Sequence, residues 1–188
     1  MGTYKIILRR RSIRRFKQKQ IPLKILKECV NAARLAPSGM NRQLLEYIIV
    51  NKKGYLDGIF ESIKWASYLK PEWKPEPNEI PTAYIVVIAP IEHKNDIQRD
   101  SGLAVENILL TAEDRNIGSC LVLNIDRKKI QETLGIDDER FYIDCVIAMG
   151  YKAEWPKTCY MENSIEYYRE DGVLYVPKRN LLDILHIA

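Results

Sequence analysis

The sequence predicts a mixed sheet covered by helices, within one domain that spans residues 1–188. Three observations carry that prediction. Four short apolar runs, EYIIVN, AYIVVIA, SCLVLN and FYIDCVIAMGY, are rich in the branched and aromatic residues of strands. The stretches between them hold apolar residues at helical spacing, so strands and helices interleave. No internal repeat and no linker divides the chain.

Residues 4–8, YKIIL, suit a helix or a strand, and five residues are too few to fix the period. A basic run, RRRSIRRFKQK, fills 9–19. Pro22 then stands where the first turn of a helix tolerates proline. Leu26, Cys29, Val30 and Ala33 follow at i, i+3, i+4 and i+7 as one apolar stripe, and Pro37-Ser38-Gly39 ends the helix. EYIIVN (46–51) is a buried strand closed by Lys52-Lys53-Gly54. Residues 61–81 hold four prolines, two tryptophans and a tyrosine, which makes them irregular. A long segment of that kind is a candidate lid, or equally a clamp packed on a hydrophobic face.

AYIVVIA (83–89) is apolar without interruption, as a strand covered on both faces should be. Asp100-Ser101 read as the cap of a helix striped by Val105, Ile108, Leu109 and Ala112, which ends at Asn116-Ile117-Gly118. SCLVLN (119–124) is the third strand. Asp126 caps the short helix DRKKIQETL, with Gly135 at its end. FYIDCVIAMGY (141–151) is the fourth strand, and NLLDILHI (180–187) reads as a last helix behind Lys178 and Arg179.

Hydrophobic residues at 46% and charged residues at 29% exclude disordered and fibrous classes. The net charge of +4 hides an asymmetry. Setting aside the seven basic residues of 9–19 leaves 22 basic against 25 acidic, a remainder of −3. Positive charge is therefore local, which argues against a nucleic-acid-binding sheath and for a site. Four scattered cysteines without a CxxC pair, and two histidines, offer no zinc-like ligand set. The longest apolar stretch is about half of what a membrane-spanning helix needs, and the start lacks a signal-peptide core. The expectation is a cytoplasmic protein with reduced thiols and no membrane partner.

The nine glycines form no GxG pair, so neither the dinucleotide fingerprint nor a P-loop is present. Any bound nucleotide or flavin must then have its phosphate held mainly by side chains. Arginine's planar fork suits that task. In an extended segment Arg10, Ser12 and Arg14 share a face, while Arg9, Arg11 and Arg15 face elsewhere. The alternative is an ordinary solvated basic run. Similarly, APSGMNRQ (36–43) lets backbone and a small polar surface approach a planar ligand, or simply stops a helix.

These pieces, in order, resemble the FMN-dependent nitroreductase family. The resemblance rests on R-R-S-I-R-x-F, then A-R-L-A-P-S-G-x-N-x-Q, then E-Y-I-I-V. It continues in D-S-G-L-A-V-E-N-I-L-L-T-A-E-D-R-N-I-G-S-C, in A-M-G-Y-K-A-E and in P-K-R-N-L-L-D-I-L, and is weakest over 55–81. It implies an α+β fold with a central, mixed, mainly antiparallel sheet flanked by helices, assembled as an intertwined homodimer. It also implies FMN at the subunit interface, reduced by NADH or NADPH and reoxidised in ping-pong fashion by a small organic acceptor such as a nitroaromatic or quinone.

Carried over by motif position, Arg10, Ser12 and Arg14 contact the phosphate, ribityl chain and pyrimidine edge of FMN, with Arg11 beside them. Pro37, Ser38, Gly39 and Asn41 of the partner subunit line the isoalloxazine ring, and Lys178 and Arg179 complete the phosphate clamp. Leu123 and Asn124 stand near N5. No side chain is needed as a nucleophile, and Arg14 has an electrostatic role. Two departures matter: Gln43-Leu44-Leu45 replaces the family's common Gln-Pro-Trp, and Leu123-Asn124 replaces its common Gly-Gly. The second adds side chains over the ring and bears on nitroaromatic reduction. A specialised relative of the reductive dehalogenase or flavin-fragmenting type is the alternative, with Trp65, Tyr68 and Trp73 setting the substrate. A non-catalytic flavin binder and, remotely, a nucleic-acid module using 9–19 are the others.

Overall fold

A computed structural model describes residues 2–187. Strands β3 (Ala83–Pro90) and β5 (Phe141–Lys152) form its centre as an antiparallel pair, with Ala83 opposite Met149 and Val86 opposite Val146. β2 (Glu46–Val50) flanks β3, and β4 (Ile117–Val122) flanks β5, both antiparallel. A short β1 (Phe16–Lys17) pairs with the end of β5. A parallel bridge between Ser12 and Ser119 ties the basic segment to β4. The sheet is therefore mixed and mainly antiparallel within an α+β fold, as expected.

The apolar runs of β3 and β5 exist because this sheet is covered on both faces. Tyr84, Val86, Ile88, Val146 and Ala148 join one hydrophobic cluster; Ala83, Ile85, Val87, Ile147 and Met149 join the other. Helices α2 (Leu23–Ala33) and α4 (Gln98–Asp114) cover the second face through the stripes read from the sequence. Helices α3 (Lys53–Phe60) and α5 (Arg127–Leu134) close the first, with Ile59 and Ile130 fully buried. Residues 61–81 contribute Ile63, Trp65, Ala66 and Leu69 to that same cluster, so their first half is packed under cover. Residues 4–8 are settled as helix: α1 spans Thr3–Arg9 and buries only Ile6.

Several boundaries differ from the sequence reading. Lys53-Gly54 opens α3 and does not merely close a strand. Asp100 and Ser101 sit inside the first turn of α4, which begins at Gln98 without a side-chain cap. Their side chains are engaged at long range instead. Asp100 accepts the Gly39 N–H at 3.0 Å, and the Ser101 hydroxyl donates to Asp144 at 2.5 Å. α4 ends at Asp114 and β4 begins at Ile117, so Leu123 and Asn124 lie beyond the strand.

The largest correction is at the C-terminus. NLLDILHI forms only a 3-10 turn over Leu181–Asp183, held by reciprocal capping of Asn180 and Asp183. Its leucines and isoleucines are exposed, so the helical stripe has nothing to pack on. Before it lies a small sheet absent from the sequence reading: β6 (Lys157–Tyr160), β7 (Tyr168–Glu170) and β8 (Val173–Lys178), in the order β6-β8-β7.

Candidate functional site

The basic segment between α1 and β1 is extended and fixed at several points. Ile13 N–H donates to the Ser119 carbonyl at 2.9 Å, Ala153 N–H to Arg15 at 3.0 Å, and Phe16 N–H to Glu79 at 2.9 Å. Ile13 and Phe16 are buried as plugs. The sheet leaves room for them by using glycine. A Cβ on Gly118 would stand 2.9 Å from Ile13, and one on Gly150 would stand 2.7 Å from Phe16. The plugs fix where the charged side chains go.

Arg10 and Arg11 meet Lys178 and Arg179 across a groove of ≈ 550 Å³ whose walls include no acidic residue. One wall is the start of the chain and the other is the end of β8. Exposed Ile7 and Leu8 flank the first wall, and Cys159 lies beside the second. Lys178 is held through its carbonyl, which accepts the Met161 N–H at 2.9 Å; Arg179 donates to the Asp183 carbonyl at 2.6 Å. Arg10 also pairs with Glu106 of α4, which is not part of the groove's walls, at 3.4 Å. Arg11 Nε is buried without a hydrogen-bond partner, and burial together with neighbouring Arg10 pushes its guanidinium down from the usual value. A cation in that position is stabilised by an added anion.

Ser12 and Arg14 lie further along. With Arg10, Arg14 bears on the buried Cys120 thiol: burial pushes it up, and the Arg14 and Arg10 charges offset only part of that rise. The Arg14 guanidinium rests over the Tyr167 ring at 4.8 Å. Its backbone N–H donates to Glu154 Oε1 at 2.6 Å, and Arg169 donates to Glu154 Oε2 at 2.6 Å. Glu154 is buried. It and Tyr167 were not singled out by the sequence reading, although Glu154 ends the A-M-G-Y-K-A-E motif and so carried a usable signal.

Pro37, Ser38, Gly39 and Asn41 are not brought to the groove by the same chain. They form a projecting turn between α2 and β2, pinned where Asp100 accepts the Gly39 N–H. Met40, Asn41 and Gln43 take left-handed φ values of 53°, 56° and 51°, and Met40 is exposed. Leu123 and Asn124 are exposed just past β4. The Asn124 carbonyl accepts the Lys64 N–H at 3.0 Å, and Ile63 bridges Ile125, so the irregular segment starts beside them. That segment also reaches the Arg14 neighbourhood: Tyr68 packs edge-on against Tyr167 at 5.1 Å, and Trp73 lies under Arg15 at 5.7 Å and Arg169 at 5.1 Å.

Among the described residues no helix is long and apolar enough to cross a membrane, and no cluster of side chains could hold a metal ion. A protein of Archaeoglobus fulgidus bearing the provisional name NADH dehydrogenase/NAD(P)H nitroreductase is 33% identical over 155 residues, covering 78% of this chain and 83% of that one. An iodotyrosine deiodinase of Thermotoga neapolitana is 25% identical over 179 residues, covering 86% and 94%. The solved structure of an FMN-dependent nitroreductase from Clostridium difficile R20291 superposes with a TM-score of 0.65 at 29% identity, covering 79% of this chain and 87% of that one. Residues 7–151, from the helix before the basic segment to the end of the central strand, match the nitroreductase family as a whole, and the chain belongs to that family.

Proposed function

We propose that the protein is an FMN-dependent oxidoreductase that takes electrons from NADH or NADPH and passes them to a small organic acceptor by a ping-pong mechanism. One observation carries the reading. Four cations from opposite ends of the chain, Arg10, Arg11, Lys178 and Arg179, share a groove without a single acid, as a phosphate dianion requires. The donor set fits FMN, and the buried unpaired Nε of Arg11 is the kind of atom a phosphate oxygen would satisfy. A homodimer completes the proposal. Pro37, Ser38, Gly39 and Asn41 do not line their own chain's groove, and Ile7, Leu8, Leu103, Leu123 and Leu182 are exposed apolar side chains that a second copy would cover.

FMN, when bound, supplies the hydride acceptance and release. The protein's residues hold and tune. Arg10, Arg11, Lys178 and Arg179 fix the phosphate, and Ser12 supplies a hydroxyl toward the ribityl chain. Arg14 would supply a positive charge toward the flavin, of the kind that stabilises negative charge on the reduced ring. Glu154 sets Arg14's backbone and Tyr167 sets its guanidinium plane, so that charge is positioned before reaction. Leu123 and Asn124, exposed just past β4, would narrow the room for an acceptor over the flavin. Tyr68 and Trp73 are the aromatic groups placed to select it.

The visible absorption spectrum of the purified protein, with identification of the released chromophore, tests this reading. Bound FMN that is bleached anaerobically by NADH or NADPH and restored by a quinone or nitroaromatic is the expected result. A halogenated phenol belongs in the same acceptor set, because it would report a deiodinase-like activity. A colourless protein that takes up no added FMN overturns the proposal.

A further inference from the structure

The basic segment has a second side. Arg11, Ile13, Lys17 and Lys19, all odd-numbered, line a separate cleft of ≈ 520 Å³ together with Arg9 and Lys152. Arg10, Ser12 and Arg14 do not line it. Extended backbone sends alternate side chains to opposite sides, and Arg11 is the wall between the two spaces.

The cations of this cleft are unevenly paired. Arg9 and Lys152 share the buried carboxylate of Glu113 at 2.5 Å each. Glu154, the one acid on the wall, is already engaged by Arg169 and the Arg14 N–H. Arg11, Lys17 and Lys19 have no carboxylate within ion-pair distance among the described residues, and Lys19 lies instead over the Tyr151 ring at 4.6 Å. Three unneutralised cations thus converge on a concave surface, backed by two more whose only counter-charge is buried. On its rim stands Trp155, 68% exposed, which offers a flat apolar ring to the cleft.

We propose that this cleft binds a free nucleoside di- or triphosphate, its phosphates on Arg11, Lys17 and Lys19 and its base stacked on Trp155. The volume exceeds what inorganic phosphate needs, and the exposed indole selects a ligand with a planar end. The cleft adjoins the groove assigned above to FMN, with Arg11 as their shared wall, whereas Lys17, Lys19 and Trp155 belong to this cleft alone.

ATP titrated into the protein as purified, followed by tryptophan fluorescence and by equilibrium dialysis, tests the site. Tripolyphosphate, adenosine and a short single-stranded oligonucleotide serve as comparison ligands. Saturable ATP binding is expected, with none for adenosine. The Lys17→Glu/Lys19→Glu variant should bind ATP roughly tenfold more weakly or worse, with its melting temperature and bound chromophore unchanged. Trp155→Phe should lower ATP affinity while leaving tripolyphosphate affinity in place. No saturable binding at millimolar ATP overturns the proposal, as does binding that the double variant leaves intact. An oligonucleotide that binds more tightly than ATP overturns it in favour of a nucleic-acid surface.

Discussion

The central pair β3–β5 and the segment from β6 to residue 187 are both rich in Ile, Leu, Val and Tyr, yet their fates are opposite. From Ala83 to Ala89 every residue is buried, whereas after residue 156 only Leu174 is. In the first region each apolar side chain has a helix or the 61–69 segment above or below it. In the second, a helical pattern sits over nothing and collapses to a single 3-10 turn. Burial, and not apolar content, decides whether a pattern becomes an element.

Matched truncations give the sharpest test of that contrast. Ile147→Ala empties a site closed on all sides and should cost about 2–5 kcal/mol in urea unfolding. Leu182→Ala removes the same kind of side chain from a position 83% exposed and should cost less than about 0.5 kcal/mol. A tail truncation as costly as the core one would break the contrast for the isolated chain. It would mean that a second copy covers the tail, and the cost should then fall on dilution.

A smaller effect is expected where the two regions are joined. Glu154 Oε1 holds the sheet-bound Arg14, and Oε2 holds Arg169 of β7, itself largely buried. Glu154→Ala leaves that guanidinium without its carboxylate and should cost on the order of 3 kcal/mol, with faster loss of any bound flavin. Glu154→Gln keeps an acceptor for Arg14 and should recover part of both. Wild-type stability in Glu154→Ala would show that the small sheet is not tied to the basic segment through this residue.

The same contrast explains what the sequence disclosed. Strands covered on both faces announce themselves as unbroken apolar runs, and local chemistry was equally plain: Asp126 accepts the Lys129 N–H and Gly135 takes φ 66°, as read. Long-range partners left no local trace. Asp100 and Ser101 looked like a cap because the residues they bind, Gly39 and Asp144, are 61 and 43 positions away. The small sheet failed to register because its short strands are half-exposed and lack a clean period. At the site, residue chemistry alone asked for side-chain phosphate ligands in 9–19. That Lys178 and Arg179 close the same groove came only from family resemblance, since nothing in local spacing links positions so distant. Glu154 ends the A-M-G-Y-K-A-E motif, but its partners, the Arg14 N–H and Arg169, lie far from it in sequence and leave no local trace of its role.

The cysteines offer the smallest and cleanest comparison, three in the core and one in the tail. Cys29, Cys120 and Cys145 are buried, while Cys159 is partly exposed beside the groove lined by Arg10, Arg11, Lys178 and Arg179. A disulfide reagent at neutral pH should therefore modify one thiol quickly, and FMN or phosphate should slow that reaction; three further thiols should appear only on unfolding. Burial, reinforced by neighbouring Glu28, pushes the Cys29 thiol from 9.0 up to about 12, and burial raises the Tyr47 phenol from 10.0 to about 12. The folded state thus favours the protonated form of both groups. Their contribution to stability is complete below about pH 9 and should be lost as pH climbs from 9 toward 12, because the unfolded chain ionises first. Urea midpoints across that range should fall, and fall less steeply in Cys29→Ala, where the Cys29 part is gone while Tyr47 and the other buried thiols and phenols still contribute. An unchanged slope in that variant would mean that the Cys29 thiol already ionises in the folded protein, and that the core around α2 is open to water.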